Sequence, residues 1–149
     1  MSVRQATQLF VDNGAFYAHF DERATRHEQA RTVFESIGSG DLPYRPIYTS
    51  TYVLDELATL ILSHGKHAAA VAALDRVLES ATTVVHPDVA DFDAAVAEFR
   101  RYDDQDISFT DHVSAVLAED REIEHVFTFD VDHFRTLGFT VVPADTGDA

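Results

Sequence analysis

Short apolar segments alternate with amphipathic helical segments along this chain. The alternation indicates an α/β fold with a central, mainly parallel sheet, because each parallel strand needs a crossover, usually a helix, to return the chain to the same edge. Asn13 and Gly14 predict a turn after the first strand. The predicted strands cover 8–11, 47–49, 82–86, 125–129 and 139–142, and the predicted helices cover 23–37, 51–64, 67–78, 88–101, 110–120 and 132–137.

The composition is that of one globular domain spanning residues 1–149. The chain is 46% apolar and 25% charged, and it is long enough for a substantial hydrophobic core. It has no cysteine, which excludes disulfides and thiolate metal sites. No apolar run reaches the roughly 18 residues needed to span a bilayer, and the segment from Met1 to Ala6 lacks the apolar core of a secretory signal. We therefore expect a cytoplasmic protein.

Charge is the most unusual feature of the composition. The formal net charge is −15, and Lys66 is the only lysine. Solvated carboxylates keep a protein soluble in a salt-loaded cytoplasm, where charge repulsion is screened within about 3 Å at 1 M salt. This pattern favours a halophilic source, and an ordinary acidic protein with basic partners is the alternative. Because phosphate contacts contribute little to affinity at molar salt, the charge neither supports nor excludes a polynucleotide substrate.

Four separated segments each place an acidic residue beside an apolar run. The acids are Asp12 after the first strand, Glu56 in the second predicted helix, Asp111 at the start of a later helix and Asp130 after the fourth strand. Ligands of open parallel sheets bind beyond the carboxyl ends of the strands, where Asp12 and Asp130 are expected. Carboxylates gathered in one place repel one another unless a cation neutralises them. A metal-dependent active site is therefore the leading hypothesis.

Asp12 and Glu56 each have a structural alternative. Asp12 could cap the helix that follows it. At about 100° per residue, Glu56 lies at the edge of the apolar face that contains Val53 and Leu57, whereas Asp55 points away from that face. Asp55 is therefore expected in solvent and Glu56 toward the interior. Pairing with an arginine is the alternative role for a half-buried Glu56.

The two later acids are also open to more than one interpretation. Asp111 falls in the first turn of its helix, where the helix dipole alone favours an acid. Thr110 can contribute a hydroxyl to a bound water or phosphate. Asp130 is the preferred ligand at the strand end, and Asp132 can be a second ligand, act through water or cap the last helix. Small residues that leave room for an ion or a substrate share a stripe with Asp111, namely Ser114, Ala115 and Ala118.

An all-oxygen, carboxylate-rich site suits Mg²⁺ or Mn²⁺. Three or four acids can hold one or two such ions, which position a phosphodiester, activate water for in-line attack and stabilise the leaving oxygen. The eight histidines form no zinc signature, and most are expected at the surface. The sequence offers neither a glycine-rich phosphate loop nor a convincing Ser-His-Asp arrangement.

Four segments resemble the acidic motifs of PIN-domain nucleases, in the order and spacing of the small VapC type: Val11 to Ala18, Thr49 to Glu56, Ile107 to Asp111 and Thr128 to Phe134. The resemblance implies a three-layer α/β/α fold and a metal-dependent endoribonuclease. Such enzymes are usually the toxin of a toxin–antitoxin pair, often a homodimer inhibited by a VapB-like antitoxin. With the charge, the resemblance indicates a halophilic archaeon. It implies that Mg²⁺ or Mn²⁺ is held by the catalytic acids Asp12, Glu56, Asp111 and Asp130, with Thr110, Asn13 and Asp132 in support.

One position departs from the family pattern, and it leaves other functions open. A serine or threonine often follows the first acid, whereas this chain has Asn13, whose amide can still hydrogen-bond a ligand water. Asn13 is the sequence support for a catalytically silent PIN-fold binding module. Another Mg²⁺-dependent phosphohydrolase is a further alternative, because the segment from Asp130 to Asp132 matches the Asp-x-Asp of haloacid-dehalogenase-type phosphatases. That motif should lie at the first strand, and a receiver domain would need a late lysine that this chain lacks.

Overall fold

The computed structural model describes residues 5–148. The prediction that the segment from Met1 to Ala6 lacks a secretory signal falls partly on residues 1–4, which lie outside the described residues. Every strand pair in the sheet is parallel, which confirms the predicted sheet. The strands, numbered along the chain, are β1 (Thr7–Val11), β2 (Tyr44–Ser50), β3 (Thr83–Val85), β4 (His125–Phe127) and β5 (Thr140–Val142). Their order across the sheet is β3-β2-β1-β4-β5, so β1 is central.

Helices fill the connections between the strands. No helix among residues 5–148 is both long and apolar enough to cross a bilayer. Three helices begin at side-chain caps: the Ser50 and Ser108 hydroxyls and the Asp88 carboxylate each accept an N–H from the first turn. The helices are α1 (Asn13–Phe20), α2 (His27–Ser39), α3 (Thr51–Ser63), α4 (His67–Glu79), α5 (Val89–Arg101), α6 (Phe109–Asp120) and α7 (Val131–Thr136).

The central strand is covered on both faces. Leu9, Phe10 and Val11 are all buried, although successive strand side chains point to opposite faces of the sheet. Right-handed connections place α1 to α4 on one face and α5 to α7 on the other, because the chain reverses direction across the sheet after β3. The predicted three-layer α/β/α architecture is therefore confirmed.

The ends of β1 and β4 meet at one edge of the sheet. Val11 is in register with Phe127, and the Asp12 backbone N–H donates to the Phe127 carbonyl at 3.0 Å. The residues that follow these strands are thereby adjacent, although they lie more than 110 positions apart in the chain. This edge is where the predicted acids are brought together.

Three local predictions are wrong. Asn13 and Gly14 form the first turn of α1 instead of an isolated turn, because Ala15 and Phe16 bury against the core and the first N–H groups of a helix need no partner within it. Strand β2 begins at Tyr44 instead of residue 47 and includes Pro46, which lies at the register shift opposite Gln8, where no ladder N–H is required.

The third error concerns the position of Asp130. Strand β4 ends at Phe127, two residues earlier than predicted, so Asp130 does not follow the strand directly. It occupies the N-cap position of α7 and makes no side-chain capping bond there. Thr128 and Phe129 form the link between the strand and this acid.

Candidate active site

Four acids from four elements converge at the carboxyl edge of the sheet. Asp12 follows β1, Glu56 lies on α3, Asp111 is in the first turn of α6 and Asp130 precedes α7. The charges of the other three acids all act on the Asp111 carboxyl. The structure therefore brings together the residues that the sequence singled out.

The acids differ in how far they are removed from solvent. Asp12 and Asp111 are each only 5% exposed, Glu56 is half-buried, and the Asp130 side chain is 45% exposed. Burial, together with the negative charges of the neighbouring Asp12, Asp130 and Glu56, raises the pKa of Asp111 to about 8. Burial also raises the pKa of Asp12 to about 6, although the Thr128 hydroxyl opposes that shift. The carboxyls of Asp12 and Asp111 thus form the buried floor of the site, and those of Glu56 and Asp130 form its more exposed rim.

Asp12 is turned into the site instead of onto its helix. It occupies the N-cap position of α1, but its side chain makes no capping hydrogen bond, so the capping alternative is wrong. Its Oδ2 accepts a hydrogen bond from Thr128 Oγ1 at 2.9 Å. Its buried Oδ1 has no hydrogen-bond partner among residues 5–148. A buried carboxylate oxygen without a donor is a free ligand atom.

Glu56 is oriented by the start of α3 and by Asn13. The Ser50 hydroxyl accepts the Val53 N–H and fixes where the helix begins. The Asn13 side-chain amide donates a hydrogen bond to Glu56 Oε2, so the described partner of this acid is an amide and not the arginine of the alternative. Asp55 is exposed, as predicted.

Helix α6 carries Asp111 into the interior. The Ser108 hydroxyl accepts the Asp111 N–H at 3.1 Å, which sets the acid in the first turn. Thr110 beside it is 9% exposed. The stripe of small residues is buried as well, and it lies along the same helix: Ser114, Ala115 and Ala118.

Asp132 stands apart from the four acids. It is exposed in the first turn of α7, and the N-cap position belongs to Asp130, so the prediction that Asp132 caps this helix is wrong. Its charge acts on Arg135, one turn further along. Its role as a second ligand stays a prediction.

Two site residues were not identified from the sequence. Thr128 is fully buried and links two acids, since its hydroxyl donates to Asp12 and accepts the Asp130 N–H at 3.0 Å. His133 Nδ1 lies 2.9 Å from Asp130 Oδ2 and 3.6 Å from Asp111 Oδ2. The spacing in the sequence could have identified His133, because a residue three positions after Asp130 lies about one helical turn further along the same helix face. The expectation of surface histidines is wrong here and at His112, which is 1% exposed.

This donor set fits a divalent cation. No lysine or arginine among residues 5–148 forms an ion pair with the four acids. Uncompensated carboxylates repel one another strongly at low effective dielectric, and an ion relieves that repulsion. Asp12 Oδ1 supplies an unused oxygen, and hard ions such as Mg²⁺ and Mn²⁺ take carboxylate oxygens. Asp12, Glu56, Asp111 and Asp130 are the residues that could hold such an ion.

The resemblance implies a nuclease, and for that activity we expect Thr128→Val to cause a loss of about 10- to 100-fold, the usual effect of losing a group that orients a ligand. The substitution preserves shape but removes the hydroxyl that holds Asp12. Thr49→Val is the matched control, because Thr49 is equally buried and its hydroxyl binds the Val11 carbonyl, not an acid. RNA cleavage rates at saturating Mn²⁺ measure the difference. Equal losses in both variants would show that Thr128 is only structural.

The chain is similar to known proteins in both sequence and fold. The PIN domain family model matches residues 9–139. The 23S rRNA-specific endonuclease VapC20 of Mycobacterium tuberculosis is 31% identical over 137 residues, covering 90% of this chain and 97% of that protein. The crystal structure of VapC20, described as a sarcin–ricin loop cleaving toxin, matches with a TM-score of 0.77 and 28% identity, covering 88% of this chain and 95% of that one.

Two more distant structures share the fold alone. VapBC2 from Rickettsia felis, bound to a DNA fragment from its promoter, has a TM-score of 0.66 at 13% identity and covers 91% of this chain and 97% of that one. FitAcB from Neisseria gonorrhoeae has a TM-score of 0.62 at 15% identity and covers 89% and 95%.

The chain therefore belongs to the PIN-domain family. Its similarity to VapC20 over nearly the whole length makes it an enzyme of the VapC type. The phosphatase and receiver alternatives are wrong, because the family model that matches residues 9–139 is that of the PIN domain.

Proposed function

We propose that this chain is a Mg²⁺- or Mn²⁺-dependent endoribonuclease that hydrolyses RNA phosphodiester bonds. It acts as a single PIN domain over residues 1–149, in the cytoplasm, as the toxin of a VapBC-type pair. The observation that carries the proposal is the convergence of Asp12, Glu56, Asp111 and Asp130 without a compensating arginine or lysine in the described chain.

The side chains divide the work of the site. Asp12 and Asp111 would hold the ion from the floor of the site, and Glu56 and Asp130 would hold it from the rim. A bound divalent ion supplies Lewis acidity and lowers the pKa of a water that attacks the phosphodiester. Asn13 keeps Glu56 in place, and Thr128 keeps Asp12 in place. The Thr110 hydroxyl, beside Asp111, is available to a phosphate oxygen or a ligand water.

The proposed substrate is the sarcin–ricin loop of 23S rRNA, by similarity to VapC20. We would incubate the purified chain with a synthetic loop RNA and with an RNA of the same length and a scrambled loop sequence. Mn²⁺, Mg²⁺ and a chelator form three arms. Cleavage of the loop RNA at one position, only with metal, supports the proposal.

The same assay tests the catalytically silent module. That alternative gains if the unaltered chain cuts neither RNA in any arm. Cleavage of both RNAs at many positions would support a nuclease but overturn the proposed loop specificity.

The proposed protein partner is a VapB-like antitoxin. Structural neighbours include the VapBC2 and FitAcB assemblies, and α3 and α4 of this chain leave an apolar surface exposed at Leu62, Val71 and Leu78. An adjacent upstream reading frame would encode the antitoxin. Its product should bind the chain and inhibit cleavage. A product that binds without inhibiting cleavage would contradict the toxin–antitoxin role.

We also propose a homodimer that forms through α5. Val89, Phe92 and Phe99 of this helix are exposed, and both phenylalanines contact Phe109, whose ring is 5.4 Å from Phe92 and 5.8 Å from Phe99. Aromatic side chains are enriched in interface cores. We expect the double variant Phe92→Asp/Phe99→Asp to be monomeric by light scattering. Val71→Asp/Leu78→Asp, which changes α4, should stay dimeric, and a monomeric unaltered chain would contradict the proposal.

A halophilic archaeal source stays a prediction, and it has a thermodynamic test. With a net charge of −15, the folded chain repels itself, and salt screens that repulsion. We expect the melting temperature to rise steeply between 0.1 and about 2 M KCl. A melting temperature that is flat in KCl would contradict the halophilic origin.

A further inference from the structure

One histidine adjoins the acidic site, and none of the functions above uses it. His133 lies on α7, one turn after Asp130, and its side chain is 30% exposed. Its Nδ1 is directed between Asp130 and Asp111, at 2.9 and 3.6 Å from their nearest oxygens. The three potential ligand atoms of these residues all lie within 4.8 Å of one another.

We propose that His133 supplies a nitrogen ligand to the ion held by Asp111 and Asp130 and thereby makes the site selective for Mn²⁺ over Mg²⁺. This inference rests on the proposed metal-dependent function and names the ion that the site prefers.

The spacing agrees with shared coordination. Adjacent ligands of an octahedral ion with bonds of about 2.1 Å are roughly 3 Å apart, and opposite ligands are roughly 4.2 Å apart. The two contacts of His133 Nδ1 fall within that range. Asp111 would bind from the interior and Asp130 from the rim, with the imidazole between them.

A protonated His133 would form an ion pair with Asp130 and Asp111, whereas a neutral imidazole offers its nitrogen to a cation. His133 Nδ1 has no hydrogen-bond partner in the described chain, despite its short distance to Asp130. A proton on Nδ1 could serve one carboxylate, whereas an ion can bind all three groups together. Asp12, which is 95% buried on the floor of the site, also has an oxygen without a donor. Two unpartnered ligand atoms in one acidic site both suit the coordination of a cation.

The ligand type determines the selectivity. Mg²⁺ is a hard ion that takes oxygen ligands and keeps its waters, whereas imidazole nitrogen binds first-row transition ions more readily. A site of carboxylates with one imidazole therefore favours Mn²⁺. Replacement of the imidazole should leave an all-oxygen site that Mg²⁺ binds almost as before.

The test measures binding of the metals themselves to the full chain. Calorimetry with Mn²⁺ and with Mg²⁺ compares the unaltered chain, His133→Ala and the control His86→Ala, whose histidine is exposed after β3. We expect His133→Ala to weaken Mn²⁺ binding at least about tenfold and Mg²⁺ binding less than about threefold. His86→Ala should change neither affinity.

A spectroscopic measurement keeps the test independent of folding. Pulsed electron paramagnetic resonance of the Mn²⁺-loaded unaltered chain should show coupling to an imidazole nitrogen. The coupling should vanish in His133→Ala, and Asp111→Asn controls for ions bound elsewhere on the surface. Absence of nitrogen coupling, or equal losses of Mn²⁺ and Mg²⁺ affinity, would overturn the inference. A chain that cuts RNA with both ions and shows no nitrogen coupling would refute the role of His133 alone, whereas a chain that binds neither ion would refute the proposed function.

Discussion

Replacing Asp111 with asparagine is expected to abolish RNA cleavage while preserving the fold. Asparagine keeps the size of the side chain and removes one charge from a site where three other acids act on it. The remaining groups would bind the ion more weakly and in altered geometry. Because loss of a group that merely orients a ligand already costs roughly 10- to 100-fold, we expect a loss of more than about 100-fold. Single-turnover cleavage of the loop RNA at saturating Mn²⁺ measures it.

The control removes the same charge nearby. Asp106 lies five positions before Asp111, and its side chain is exposed. The Asp106→Asn variant should therefore cleave RNA at the same rate as the unaltered chain. Circular dichroism of both variants checks the fold. If Asp111→Asn retained cleavage within a few-fold, Asp111 would not hold the ion. If it unfolded in chelator, Asp111 would be a structural residue.

The second large effect is on stability as a function of pH in chelator. The pKa of Asp111 is raised to about 8 in the folded chain, whereas an unfolded aspartate titrates near its ordinary value of 3.8. Between these values the folded state binds the extra proton, so the free energy of unfolding falls as pH rises. The loss begins near pH 4 and is complete above about pH 8. The pKa of Asp12 is raised to about 6, so Asp12 adds a further loss of stability that is complete at a lower pH than that of Asp111.

Variants isolate this effect from the titration of surface acids. The melting temperature of Asp111→Asn should exceed that of the unaltered chain by a margin that grows from pH 4 to pH 8 and then stays constant. For Asp12→Asn the margin should stop growing near pH 6. Each kcal/mol shifts the melting temperature by roughly 2–4 °C in a chain of this size, so a margin of at least about 5 °C is expected for Asp111→Asn.

Metal should reverse the pH trend. An ion that binds only the folded chain adds stability in proportion to the logarithm of its concentration over its dissociation constant, and it competes with protons for the same carboxyls. Saturating Mn²⁺ should therefore stabilise the unaltered chain most at pH 8 and hardly at all at pH 5. A margin for Asp111→Asn that is independent of pH, or stabilisation by Mn²⁺ that is equal at both pH values, would contradict the acidic metal site.

Local sequence patterns were sufficient for most elements and for the four acids. The helices predicted at 51–64, 67–78 and 88–101 match α3, α4 and α5 closely, because side-chain periodicity acts within a few residues. The parallel sheet follows from the alternation of elements. Glu56 could be separated from Asp55 because one residue turns a helix by about 100°.

Only the tertiary structure determined which side chains hydrogen-bond to the acids. The hydrogen bonds from Asn13 to Glu56 and from Thr128 to Asp12 join residues 43 and 116 positions apart. Such contacts depend on which strands are neighbours and in what register, and no local pattern encodes either. The start of α1 was missed for the same reason, since burial against distant residues overrode the turn preference of Asn13 and Gly14. The early end of β4 was missed as well. The sequence by itself thus determined which acids the chain has to offer, and only packing determined how deeply each is buried, what holds it and which histidine stands beside it.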